Sequence, residues 1–382
     1  MRILILGGTG AIGEELVPIL ASDKENQLVV TSRRKLNSCE NISYVQGNAM
    51  DMNFVISLLE NACFDVIVDF MLYSVNQFKE RYELFLKSCK QYLFFSSARV
   101  YAASDTPIKE SSRRLLDVTE DLDFLQDGEY SLTKAMEEDI LQSSTFNNWV
   151  IIRPYKTYSN GRLQLGVFEK EQWLYRATAG KGVLAAGNIK NLHTSLTSSK
   201  DTAKVLNRIV GDLTINGDII QIANPEKITW GQVVQIYSDC VEVHCGKKLD
   251  VFYAEDTTNI EVIFKNKYRI KYDGLIDRIF DDSKVKALMG SDFSWTPVSI
   301  GLTDCTNAAL ERYEHDKNRK CAVYDYRVEG FYDRMVGRHM PLSTIPGIKN
   351  RMKYMLWLSF DAAMIQKVKK LIKAVASPFN YK

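Results

Sequence analysis

Short apolar runs recur along the first half of the chain, helical patterns separate them, and a glycine-rich stretch follows the first run at once. These three observations predict an α/β fold, a doubly wound, Rossmann-type parallel sheet with helices on both faces. A smaller C-terminal substrate-binding domain and a helical tail are expected to complete it.

The first run, RILIL at 2–6, has no polar residue after Arg2, as a strand buried on both faces requires. A helical pattern begins near Ala11 and reaches about Ser22. QLVVTS at 27–32 is rich in β-branched residues and gives a second strand. Further strands are expected at Ile42–Gln46, Asp65–Asp69, Tyr92–Phe95 and Trp149–Ile152. Helical stretches at 51–61, 76–90 and 131–143 lie between most of them, and right-handed crossovers turn this alternation into a doubly wound sheet. The pattern changes after Pro154. Residues 155–190 mix aromatics, glycine and charge, 198–212 read as a helix, Ile219–Ile222 as one more strand and Thr229–Val243 as a helix. The expected division is a sheet domain over 1–155 with later segments near 191–225, a second domain over 156–190 and 226–333, and a tail over 334–382.

The chain has 382 residues, 46% hydrophobic and 25% charged, with a formal net charge of +2. That length suits two domains, and the charge gives no reason to expect nucleic acid. The cysteines (Cys39, Cys63, Cys89, Cys240, Cys245, Cys305 and Cys321) are odd in number and contain no Cys-x-x-Cys. Neither a zinc site nor a disulfide framework fits them, so reduced thiols in a cytoplasmic protein are expected and no metal is. The apolar N-terminus lacks the length and cleavage site of a signal peptide. No run approaches the roughly 18 apolar residues of a membrane span.

The tail differs in character. MKYMLWLSF at 352–360 is strongly apolar, and MIQKVKKLIKAVA at 364–376 predicts a basic amphipathic helix. Met364, Ile365, Val368, Leu371, Ile372 and Val375 share one face, with Lys367, Lys370 and Lys373 away from it. Such a helix packs on the body of the protein or on a second subunit. The alternative is peripheral contact with a membrane surface or an acidic partner.

GGTGAIG at 7–13 opens the first helix directly after the first strand. Gly7, Gly10 and Gly13 suit a tight turn, close approach of a pyrophosphate to main-chain N–H groups, and packing of helix on strand. In that context the loop predicts a dinucleotide site, with Gly7, Thr9, Gly10, Ile12 and Gly13 in contact with the cofactor. An acidic residue ending the second strand would bind the ribose 2′-hydroxyl of NAD. The chain instead reads TSRRK, and Arg33 and Arg34 stand where a 2′-phosphate would lie, which favours NADP over NAD. Asn48 and Asp51 in QGNAMD are placed to border the adenine; capping of the next helix is the plainer role for Asp51.

GEYSLTKAMEED at 128–139 sets Tyr130 and Lys134 one helical turn apart. An ammonium beside a phenol favours the phenolate, so such a tyrosine near a nicotinamide can serve as general acid or base. Tyr313 and Lys317 share the spacing but lie far beyond the sheet, in a charged stretch. FFSSARVY at 94–101 ends a strand in two serines, where a hydroxyl can hydrogen-bond a substrate oxygen or cap the backbone.

GGTGAIG, SSARVY, YSLTK and Arg153-Pro154 occur in that order, and in this the chain resembles the extended short-chain dehydrogenase/reductase superfamily. Within it the chain is similar to the NAD(P)-dependent epimerase/dehydratase family, most of whose studied members modify nucleotide-diphosphate sugars. The resemblance covers 1–155 closely and 156–320 loosely, and leaves out the tail. It implies Ser97, Tyr130 and Lys134 as catalytic residues. There are departures. VDFMLYS stands where the family has a His-Leu-Ala-Ala-like stretch, and Ala102 stands where it commonly has glycine. Ala98 and Arg99 replace the Asp-Glu pair that 4,6-dehydratases carry after their catalytic threonine, which counts against that activity. The implied function is epimerisation or reduction of a nucleotide-diphosphate sugar by hydride transfer at a carbinol or ketone carbon. The alternatives are a non-catalytic NADP-sensing protein and a reductase of a non-nucleotide ketone. Tyr155, Arg162 and His193 are expected at the substrate, and a homodimer is the expected assembly.

Overall fold

In the computed structural model, which describes residues 1–60, 63–315 and 325–376, seven parallel strands form the central sheet. They are β1 (Arg2–Leu6), β2 (Gln27–Ser32), β3 (Ile42–Gln46), β4 (Phe64–Asp69), β5 (Cys89–Phe95), β6 (Trp149–Pro154) and β7 (Asp218–Ile222), in the order β7-β6-β5-β4-β1-β2-β3. The order reverses between β1 and β4, so a crevice opens beyond their C-terminal ends. Side chains alternate across the sheet. Ile3 and Ile5 enter one buried cluster and Leu4 and Leu6 the other. This explains why β1 reads as uninterrupted apolar sequence. Helices α1 (Gly13–Ser22) and α5 (Ser199–Ile209) cover the first face. Helices α2 (Met52–Leu59) and α3 (Tyr130–Gln142) cover the second.

The helix expected over 76–90 is two short ones, Val75–Lys79 and Tyr82–Lys87. Ser74 caps the first through a capping box with Gln77. Between them Arg81 is buried with its guanidinium 4.4 Å from the centre of the Tyr73 ring.

The chain divides into two units: residues 1–163, 193–229 and 277–309, and residues 164–192, 230–276 and 310–382. This differs from the expected division in two ways. Residues 277–309 belong with the sheet, because Ile108 N donates to Ile279 O (2.8 Å), Arg278 Nη1 to Tyr101 O (3.0 Å) and Lys284 Nζ to Ile219 O (2.7 Å). The tail is also not separate. The second unit contains α4 (Lys170–Thr178), α6 (Trp230–Cys245), α7 (Tyr326–Val336), α8 (Ile348–Ser359) and α9 (Ala362–Ala376). Helices α7 and α8 approach closely at Gly330, where a Cβ would stand 2.3 Å from Tyr354 O. The Tyr354 hydroxyl donates to Asp333 (2.8 Å), and Ala362 N donates to Asn259 Oδ1 (2.8 Å). Tyr313 falls in the helix Val298–His315, while Lys317 and Cys321 lie outside the described residues. No described helix is long and apolar enough to cross a membrane.

Candidate active site

Gly7 N donates to Thr31 Oγ1 (3.0 Å), which ties the glycine loop to the end of β2. A Cβ on Gly13 would stand 2.4 Å from Gly8 O, so Gly13 is small because the loop folds back on α1. Gly10 is a different case. Its φ is not positive, and an added Cβ would meet nothing nearer than Gly7 O at 3.9 Å. Neither backbone strain nor protein packing accounts for glycine here. The residue lines a cavity of about 450 Å³ with Gly7, Thr9, Thr31, Ser32, Arg33, Asn48, Met50, Phe70 and Met71. A small residue facing open space suits a bulky anion lying close against the main chain, and so fits a dinucleotide.

Arg33 stands on the wall of that cavity, and Arg34 is exposed just beyond it with its N–H on Ser32 Oγ (3.1 Å). Asn48 is also on the wall; its Oδ1 accepts from Met50 N (3.1 Å). Asp51 caps α2, its Oδ1 accepting from Asn53 N (2.9 Å). Ile12 is half-buried against the core beneath the loop.

Beyond β5, Ser97 has an extended backbone, and its Oγ accepts from Arg99 N (3.2 Å). Tyr130 opens α3, which Glu129 caps through Ser131 N (2.6 Å). Arg99 joins the two segments. Its guanidinium pairs with Glu129 and lies 5.2 Å from the centre of the Tyr130 ring. This gives Arg99, which no motif explained, a role in holding the start of α3 to the end of β5.

Lys134 is one turn further along α3 and 1% exposed. Its Nζ is 2.9 Å from Glu137 Oε2, in a geometry too poor for a hydrogen bond, and 4.5 Å from the centre of the Phe94 ring. The ammonium is thus held against the Glu137 carboxylate by charge. Burial pushes the Glu137 carboxyl up to about 7 against the opposing pull of Lys134. Asp69, at the end of β4, is raised by burial too. Met71 N (2.9 Å), the Tyr92 hydroxyl (2.8 Å) and the Tyr73 hydroxyl (3.2 Å) donate to it and, with the Lys134 charge, oppose the rise.

Glu138, the residue after Glu137, is fully partnered. Arg153 Nε and Nη2 reach its two oxygens at 2.8 and 2.6 Å, Arg114 Nη1 adds a contact at 3.3 Å, and Ser96 Oγ donates to it. Arg153 also donates to the Tyr101 hydroxyl (3.0 Å). Sequence reasoning did not single out Asp69, Glu137 or Glu138. A signal existed for the two glutamates, since they lie three and four residues after Lys134 on one helix face.

The three residues expected at the substrate have the following surroundings. Tyr155 is 1% exposed and sits in the core against Phe280, ring centres 4.8 Å apart, with its hydroxyl accepting from Lys156 Nζ (2.6 Å). Arg162 closes a tight turn with Ser159, N to O at 3.0 Å. His193 is exposed, its N–H donating to Asp277 Oδ1 (2.6 Å) with Nδ1 at 3.1 Å from the same atom.

The doubly wound sheet, with a glycine-loop cavity at its switch point, defines the class: an NAD(P)-using enzyme of the extended short-chain dehydrogenase/reductase type. Residues 3–222 match the model of the NAD dependent epimerase/dehydratase family, and the chain belongs to that family. Among solved structures, the chain is similar to the Bordetella bronchiseptica enzyme WbmH in complex with NAD+ (14% identity, TM-score 0.61, 82% of this chain and 98% of that one). UDP-glucuronic acid 4-epimerase from Bacillus cereus, in complex with UDP-glucuronic acid and NAD, is 15% identical over 82% of this chain and 99% of its own, with a TM-score of 0.61. A human epimerase family protein with NADPH is 15% identical over 80% of this chain and 99% of its own, with a TM-score of 0.58. Identities this low carry the fold alone. No curated protein is similar enough in sequence to match the chain.

Proposed function

We propose that this chain is an NADP-dependent epimerase or reductase of a nucleotide-diphosphate sugar, with Tyr130 as its acid/base. The observation that carries the reading is the meeting of the Ser97 segment with the start of α3. Arg99 pairs with Glu129 beside the Tyr130 ring, while the Tyr130 hydroxyl makes no hydrogen bond among the described residues. A phenol so held is available to a bound carbinol. In this reading the glycine loop, Arg33 and Asn48 hold the dinucleotide and Lys134 takes its nicotinamide ribose. The bound cofactor supplies the hydride acceptor or donor. Tyr130 removes the hydroxyl proton as the carbonyl forms and returns it in the reverse direction. Ser97, whose oxygen already accepts from Arg99 N, keeps its own proton to donate to the substrate oxygen.

Support for a nucleotide-sugar substrate comes from family membership and from the fold shared with the UDP-glucuronic acid 4-epimerase. Arg33 on the cavity wall supports NADP and, with it, a reductase that turns over free NADPH. The test is incubation with sugar nucleotides while both reduced-nicotinamide absorbance and product stereochemistry are followed. Stoichiometric loss of absorbance identifies a reductase; isomerisation without net loss identifies an epimerase. Tyr130→Phe is expected to lower kcat by roughly 10²–10⁴ with cofactor binding retained. A near wild-type rate removes Tyr130 from the chemistry, and wild-type preference for NADP in Arg33→Ala removes Arg33 from the phosphate site.

A further inference from the structure

We propose that helix α8 docks this protein on an anionic phospholipid surface. The inference is independent of the reaction assigned above and rests on the second unit alone.

Helix α8 has two apolar stripes. Tyr354 and Trp357 are buried and pack the helix into its unit. On the opposite side Ile348 and Met352, 78% and 67% exposed, continue to Met355 at i, i+4 and i+7, a row about 10 Å long facing water. Exposed Lys349 and Lys353 flank this row on one side and exposed Arg351 on the other, and α8 contains no acidic residue. Exposed apolar side chains are also frequent in the sequence on either side of the helix. Of the fourteen exposed large apolar side chains among the described residues, half lie between Met335 and Met364, with Leu342 and Phe360 among them. Residues 338–382 hold nine lysines and arginines against one acid, Asp361, although the whole chain is only +2, so the rest of it is net acidic.

An isolated exposed methionine means nothing, but an apolar row flanked by cations is the arrangement of an interfacial helix. The row enters the acyl boundary while the lysines meet lipid phosphates. Charge decides against the other occupants. A second copy would set two strongly cationic faces together. A soluble polyanion would satisfy the lysines and leave the apolar row in water. The face differs from the one the sequence indicated. In α9, Ala362 and Ile365 are buried, so the start of its apolar side is already used within the unit.

The full chain is expected to co-float with vesicles of phosphatidylcholine containing phosphatidylglycerol, to be released by salt, and to stay unbound with phosphatidylcholine alone. Ile348→Ser/Met352→Ser and, separately, Lys349→Glu/Lys353→Glu should each weaken vesicle binding roughly tenfold or more, with melting temperature and NADP binding unchanged. Absence of wild-type flotation overturns the proposal. So does wild-type binding by either double variant. Flotation lost only in the charge variant reduces the contact to a Coulombic one and also overturns it. A dimer in vesicle-free solution that Ile348→Ser/Met352→Ser dissociates assigns the face to a second copy instead.

Discussion

Glu137 is a carboxyl that its surroundings keep near neutrality. It is fully buried on α3, beside the Lys134 ammonium and close to Asp69 and Glu138, with the buried phenol of Tyr92 nearby. Burial raises it from 4.5 to about 7, and Asp69 shifts in the same direction. Between those values the folded state binds a proton that the unfolded state has lost, so stability falls as pH rises through the window. Glu137→Gln removes that dependence. The melting temperature of the variant relative to wild type should rise from about pH 5 to about pH 8, as followed by circular dichroism. A constant difference across that range would mean that Glu137 does not titrate there. The spacing in KAMEED placed both glutamates on the Lys134 face. It gave no hint of burial, because the surroundings come from β4 and β5, far away in sequence.

At the level of elements, α3 is secured to the sheet by its own acid. Glu138 receives Arg153 from β6 and Ser96 from the end of β5, and this ties α3 to the C-terminal ends of both strands. Breaking a buried pair leaves an uncompensated charge. Arg153→Met should therefore lower stability by about 3–5 kcal/mol in denaturant unfolding, with the joint change Arg153→Met/Glu138→Met costing less than Arg153→Met alone. Additive losses would deny the coupling. The strands that carry this cross-tie were legible because a strand buried on both faces must be apolar throughout. The pairing was not legible, since Arg153 meets Glu138 only through the β5–β6 register that sets Phe95 beside Ile152. The break in the 76–90 helix was hidden for a similar reason. Arg81 interrupts it to lie over Tyr73, a contact no helical period announces.

For the whole molecule, the sheet unit was readable in outline because its strands follow one another along the chain. The exceptions are residues 277–309, which return to it through backbone and lysine contacts that leave no periodic trace. The C-terminal segment, expected as a tail of its own whose helix packs on the body or on a second subunit, is part of the second unit. Gly330 lets α7 lie against α8, and Tyr354 and Trp357 fill that contact. A chain ending at Gly337 loses both aromatics, each worth about 1.5–3 kcal/mol or more of burial. It is expected to go into the insoluble fraction on expression, whereas Ile348→Ser/Met352→Ser stays soluble. A soluble truncated chain with a wild-type melting transition would show that the second unit stands without the segment.

The contact between Arg99 and Glu129 also limits what this protein can become. An Asp-Glu pair placed after Ser97, as 4,6-dehydratases carry, would substitute a carboxylate for the guanidinium and set it against Glu129. The change to dehydration therefore has an epistatic threshold. Glu129 must yield first, and with it the cap of α3, before an acid at position 99 is tolerated, so lineages descending from this arrangement meet a barrier to that chemistry at this position.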